Sequence, residues 1–210
     1  MFFSISEAAS KVGVTHALFL VVRGLVCSPT KPEFLTHCNE MVETNISGDL
    51  QHFNEGFRKI IEKTTGRENF KTAGEKLREN FSSRGFRSIN NIIDAYNEAA
   101  FFYGLGIGGH DLSSVDSLAK IEVSLATDNE RIVPLFQSKE KKINPGELIY
   151  TADDKSMAWI GTNDIDADCF KISERTTDCL FVILGHNFVK AAELYTISLR
   201  IRQGGIPLCI

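Results

Sequence analysis

Four glycines in six positions lead into a histidine and an aspartate: Gly104-Leu105-Gly106-Ile107-Gly108-Gly109-His110-Asp111. Glycine has no Cβ, so such a segment lets a ligand or another backbone come close. His110 beside it is suited to act as a base or to orient water. Gly108 and Gly109 offer backbone N–H groups to an oxyanion, so all three are candidate catalytic residues. The segment is not a phosphate loop. No Lys-Ser/Thr follows the glycines, and the segment trails a helical pattern instead of joining a strand to a helix. The competing structural reading makes His110 a turn residue, with Asp111 capping local N–H groups.

A second group is acidic: Asp153, Asp154, Asp164, Asp166 and Asp168. Counted from Asp164, the sixth and twelfth residues are Cys169 and Arg175, not the Gly and Glu of an EF-hand. A solvated loop is expected there. No Gly-x-Ser-x-Gly elbow occurs. Cys27, Cys38, Cys169, Cys179 and Cys209 form no Cys-x-x-Cys pair, and their number is odd. Reduced thiols are expected, without a metal site and without a cofactor.

Charge is unevenly spread. The chain carries a net −4, yet residues 55–87 hold nine Lys/Arg against five Asp/Glu. Residues 147–178 hold three against eight. A basic segment on an acidic protein suits a polyanion, RNA among them, which makes Arg58, Lys59, Lys63, Arg67, Lys71, Lys76 and Arg78 candidate polyanion-binding residues. The alternative is a solvated, salt-bridged helix face.

The elements that must carry these groups are legible in outline. His16–Val22 reads as a central strand buried on both faces. From Glu33 to Gly85 apolar residues recur at helical spacing, with breaks at Gly48, Gly66 and Gly74. A helix follows, with Ser88 as its N-cap, an apolar stripe from Ile89 to Tyr103, and Gly104 as its stop. Ile121–Leu125 and Arg131–Phe136 alternate like a hairpin, and Leu148–Tyr150 with Met157–Ile160 like another around Asp153-Asp154-Lys155. Cys179–Leu184 is a second buried strand. Asn187 opens a last helix. Helices and strands fall in blocks, which predicts an α+β fold.

At 210 residues, with 43% hydrophobic and 24% charged residues, the chain is of ordinary globular composition. No apolar run has the length of a membrane span, and Met1–Ser4 shows no basic region before an apolar core. A cytoplasmic protein without membrane or DNA contacts is expected.

Several segments then resemble one family in order. These are Ser88–Asn97, Gly104–Leu112, Asn144-Pro145-Gly146-Glu147 and Thr176–Val182. They are similar to the editing module of the phenylalanyl-tRNA synthetase beta subunit, its B-three/B-four tRNA-binding domain, and most of all to free-standing versions of it. Those versions carry an N-terminal strand like Ala17–Leu25 and a helical lead-in like Phe57–Phe86. The resemblance implies a central, mostly antiparallel sheet with flanking helices. It implies one domain over 1–210, with 1–87 as strand and helical lead-in and 88–202 as the editing-domain-like core.

The family module hydrolyses mischarged aminoacyl-tRNA, a second sieve acting after the first pocket. A trans-editing ester hydrolase that binds tRNA, and not a ligase, is therefore expected. Asn90, Asn91, Asp111 and Thr176 are the candidates to hold the substrate amine or ribose. The alternatives are a non-catalytic tRNA- or RNA-binding module with a degenerate pocket, and an enzyme acting on a small amino-acid-like metabolite. The departures from the family are specific. Its loop histidine falls at Gly108, its acidic residue at Val182, and its glycine-pair loop at Asn163–Asp168. Its later pocket residues fall near or past Ile210. The activity is thus not inherited residue by residue.

Overall fold

The computed structural model describes residues 1–48, 50–161 and 164–204; Cys209 and Asn163 lie outside them. In chain order the elements begin with β1 (Phe2–Ile5), α1 (Glu7–Val12) and β2 (Val14–Val22). A block of four helices follows: α2 (Pro32–Thr44), α3 (Gln51–Thr65), α4 (Ala73–Arg84) and α5 (Asn91–Tyr103). Then come β3 (Gly108–Asp111), β4 (Lys120–Leu125), β5 (Arg131–Ile132), β6 (Lys141–Lys142), β7 (Leu148–Ala152), β8 (Lys155–Ile160), β9 (Ile165–Asp166), β10 (Cys179–His186) and α6 (Ala191–Gln203). The fold is α+β, and antiparallel pairs dominate its sheets.

One sheet has the order β1-β4-β7-β8-β9, its only parallel pair among the described residues being β1 with β4. A second has the order β2-β10-β3. Every residue of β10 is buried, which suits a central strand covered on both faces. β2 is instead an edge strand whose middle residues are only half-buried. Its continuous apolar run reads as central because it carries no polar alternation. The run is used to meet β1, where Phe3 stacks on Phe19 at 4.8 Å.

Local chemistry sets the helix ends. Thr72 and Glu75 form a reciprocal capping box at the start of α4. Asn90, not Ser88, caps α5, its side chain accepting from the N–H groups of Ile92 and Ile93. Gly104 ends α5 in the left-handed region at φ 69°. The Arg78 guanidinium donates to the carbonyls of Phe101 and Phe102 in the last turn, where a cation is favourable.

Two further expectations are corrected. Ile121–Leu125 does not pair with Arg131–Phe136. β4 lies between β1 and β7, and β5 pairs with β6, because the intervening segment offers too short a strand to extend the main sheet. The last helix begins after Lys190, since His186–Val189 form a closing turn first.

Ser88 is freed from capping to serve Asp94. That carboxylate is fully buried and accepts from Thr30 Oγ1 at 2.5 Å, Ser88 Oγ at 2.6 Å and the Ile89 N–H at 2.9 Å. It ties α5 to the loop after β2. Asp94→Ala strands these donors and is expected to cost about 3 kcal/mol. For a chain of this size that lowers the melting temperature by roughly 6–12 °C. Chemical and thermal denaturation read it directly.

Candidate functional site

A cavity of about 120 Å³ opens where the two sheets face each other. Its walls are apolar: Phe53 and Phe57 from α3, Ile107 ahead of β3, and Val182 and Leu184 from β10. Side chains two apart on a strand share a face, so Val182 and Leu184 project together, opposite Phe181 and Ile183. Gly108 is the register partner of Val182 and shares that face. A Cβ at Gly108 would overlap the Tyr150 hydroxyl, so the missing side chain is what lets the second sheet approach. Trp159 lines the wall beside it, held by its Nε1 donating to the buried Glu147 carboxylate at 2.6 Å. The Asn144–Glu147 turn thus serves the cavity by fixing Trp159.

Three polar side chains, His110, Tyr150 and Asp166, come together between the inner end of the cavity and its mouth. His110 Nε2 lies 2.8 Å from the Tyr150 hydroxyl, and 3.9 Å from Asp166 Oδ1, beyond direct hydrogen bonding. His110 is fully buried, and burial pushes its pKa down to about 3. It is a neutral imidazole across the physiological range, so no titration near pH 6.5 belongs to it. Its Nδ1 has no hydrogen-bond partner among the described residues. Placing the ring proton on Nε2 leaves Nδ1 as a bare acceptor, a less costly orphan than a buried N–H. His110 then donates to Tyr150, whose own proton is free to face the cavity.

Asp166 stands at the mouth with Asp164. Burial first, and the neighbouring Asp164 carboxylate second, raise its pKa to about 7. Its side chain keeps 39% of its surface exposed, so water at the mouth tempers the consequence for stability. Burial also raises the Tyr150 phenol well above its ordinary value, which keeps it a protonated donor. Asp164 and Asp166, expected in a solvated loop, are therefore part of the site, whereas Asp153 and Asp154 form the exposed turn between β7 and β8. β9 pairs with β8 through Ala158↔Asp166 and Trp159↔Ile165, which turns Asp166 inward.

The other candidate residues divide. Gly108 lines the cavity and His110 backs it. Gly109 faces the opposite side, where its missing Cβ clears Tyr96. Leu112 N–H bonds the Asp178 carbonyl at 2.9 Å. Counting back along the alternating ladder, the Gly108 N–H points into β10, and the Gly109 N–H points to the open edge.

Asn90, Asn91, Asp111 and Thr176 do not line the cavity. Asn90 is the α5 cap. Asn91 accepts from the Ser28 N–H at 2.8 Å and donates to the Val26 carbonyl at 2.8 Å. Thr176 donates to the Asp111 carboxylate, which also accepts from the Ser113 N–H. All four hold loops in place.

Most cations of the basic segment already have partners. Arg58 pairs with Glu75, Lys71 with Glu79, and Lys76 with Asp164 at 2.8 Å. Arg78 serves the α5 carbonyls, and Arg67 is engaged as well. Lys59 lies over the Phe188 ring at 4.8 Å, and Lys63 lines a shallow groove next to it. Among the described residues no group of three or more His, Cys, Asp or Glu is arranged to hold a metal.

The B3/4 domain model matches residues 58–197. The phenylalanine–tRNA ligase beta subunit of Streptococcus pneumoniae is 24% identical over 174 residues, 82% of this chain and 20% of that protein. That of Lactobacillus acidophilus is 28% identical over 97 residues, 46% of this chain and 11% of that protein. The chain thus spans a fifth or less of these relatives. A crystal structure of an N-terminal fragment of the phenylalanyl-tRNA synthetase beta subunit from Pyrococcus horikoshii aligns with TM-score 0.49 and 10% identity, over 97% of this chain and 47% of that one.

Proposed function

This chain belongs to the B3/4 domain family, and from that premise we propose that it is a trans-editing hydrolase that cleaves the ester of mischarged aminoacyl-tRNA. One observation carries the reading. The cavity has apolar walls and two carboxylates, Asp164 and Asp166, and no Lys or Arg among its described lining residues. An apolar amino-acid side chain fits the walls, and its α-ammonium faces the carboxylates. A free amino acid also brings a carboxylate, which meets two like charges, while the cation at the mouth, Lys76, is already paired with Asp164. Esterification removes that charge. This favours an aminoacyl ester over a small amino-acid-like metabolite.

The chemistry assigns each group a task. A water attacks the ester carbonyl carbon and gives its proton to the Asp166 carboxylate, a base poised near neutral pH. The Tyr150 hydroxyl donates to the carbonyl oxygen as it gains charge. His110 is a positioning residue that holds Tyr150. Asp164 and the ionised Asp166 face the ammonium. As the carbon–oxygen bond to the ribose breaks, the ribose oxygen recovers the proton from Asp166. The chain needs neither cofactor nor metal for this sequence, and its partner is tRNA.

We also read 1–210 as one domain, because β2 and α3 of the lead-in supply a sheet neighbour and cavity walls to the core. No helix among the described residues is long and apolar enough to cross a membrane. A cytoplasmic site of action fits this reading.

A second reading is favoured by Gly108 and Val182, which stand where the resembled synthetase module carries a histidine and an acid. It is a tRNA-binding module without turnover. Deacylation of a panel of mischarged tRNAs separates the two. Release of at least one amino acid well above the spontaneous rate is expected. Binding without release across the panel establishes the non-catalytic module instead.

A further inference from the structure

Phe136 is the most exposed large apolar residue described, at 87%. It is also held at φ 60°, in the left-handed region. The Gln137 N–H closes a turn on the Pro134 carbonyl at 3.0 Å, which puts Phe136 third in that turn. Leu135 is not in the left-handed region, so this is the geometry for which turns select Gly or Asn at the third position. A bulky aromatic is disfavoured there twice, by its backbone and by its exposure. Such outliers cluster where a ligand is met.

The turn is nevertheless firmly held. Asp168 accepts from the Phe136 N–H at 2.9 Å and from Lys171 Nζ at 3.0 Å, and Lys171 stands 5.9 Å from the Phe136 ring centroid. The Leu135 N–H bonds the Asp166 carbonyl at 3.0 Å, and Pro134 bridges to Ala167. The segment that carries Phe136 therefore runs beside β9, with Leu135 one strand spacing, about 4.8 Å, from Asp166 at the cavity mouth. Beyond it Lys139 and Lys141 are exposed, with Glu140 between them, and neither lysine has an ion pair among the described residues.

We propose that the segment 134–142 is the RNA-docking element of the cavity, with Phe136 as a stacking platform for a nucleobase and Lys139 and Lys141 as phosphate contacts. This rests on the aminoacyl-ester reading for its position beside Asp166. An aromatic face with nearby cations is how single-stranded nucleic acid is held without sequence readout. The arrangement places RNA here and not along the α3–α4 basic segment, most of whose cations already have partners.

Binding of two short RNAs ending in 3′-CCA tests it, one unacylated and one carrying a non-hydrolysable amide-linked amino acid. Phe136→Ala should weaken both by roughly 5- to 100-fold. Lys139→Ala and Lys141→Ala should each flatten the salt slope by about 0.7. Phe136→Gly should raise the melting temperature while weakening binding, a combination that a purely structural residue does not give. Asp166→Asn should weaken only the acylated RNA. Unchanged binding of the unacylated RNA by Phe136→Ala and the lysine variants overturns the docking element. So does a wild-type protein that binds neither RNA. If Phe136→Ala weakens both RNAs while Asp166→Asn does not distinguish them, the docking element stands and the ester reading of the cavity fails.

Discussion

Asp166→Asn is expected to slow ester release by roughly 10²- to 10⁴-fold, the range for loss of a positioned base. Asparagine keeps the size and the β9 backbone but cannot take the proton of the attacking water. In the wild type, the rate should rise with pH as Asp166 ionises with its pKa of about 7, then level off. His110, with a pKa of about 3, adds no second inflection above pH 5. The sign for stability is the reverse of that for activity. The folded pKa is raised above the ordinary carboxylate value, so between about pH 4 and 7 the folded chain holds a proton that the unfolded chain has lost. This contribution is fully present below about pH 4 and is lost as pH rises to 7. Asp166→Asn should therefore abolish the pH dependence of the rate and flatten this part of the stability profile. A variant that keeps the wild-type rate between pH 6 and 8 removes Asp166 from the mechanism.

Tyr150→Phe should cost roughly 10²–10³ in rate, the usual effect of removing one oxyanion donor. The phenyl ring still fills the space, so unacylated RNA binding should be unchanged. His110→Ala is expected to give a similar loss, because the imidazole acts through the Tyr150 hydroxyl at 2.8 Å. The two changes should then be non-additive, with the double variant close to either single one. His110→Ala also leaves a cavity in a fully buried site, so its melting temperature should fall. Tyr150→Phe separates the two effects, since it removes only an oxygen. Independent, multiplying losses would mean that His110 works without Tyr150. Full activity in folded Tyr150→Phe would remove the donor from the proposed chemistry.

Much of the frame was legible because it depends on local pattern. The helix ending at Tyr103 follows from its apolar stripe and the left-handed Gly104, although its cap is Asn90 and not Ser88. The hairpin around Asp153-Asp154 follows from alternation on either side of a turn. Gly108 and His110 were conspicuous as residues. Their directions were not. Along β3 a single step reverses the face, which sends Gly108 to the cavity and Gly109 to Tyr96. Charge misled in the same way. The lysines and arginines between residues 58 and 78 look free when counted in line, but in space carboxylates match Arg58, Lys71 and Lys76, and main-chain carbonyls hold Arg78.

The sequence by itself determined the α+β class, the helical block before residue 85, the end of α5 at Gly104, the buried β10 strand and the family. Each of these rests on periodicity, capping or ordered motifs within short stretches. The tertiary structure alone decided the site. Tyr150 and Asp166 are 40 and 56 residues from His110 in the chain, and neither stands in a motif. Strand register sets which side chains from two sheets converge, and register is fixed by packing over the whole core. An aspartate that reads as solvated in line becomes a base near neutral pH only when β9 turns it into the cavity mouth beside Asp164.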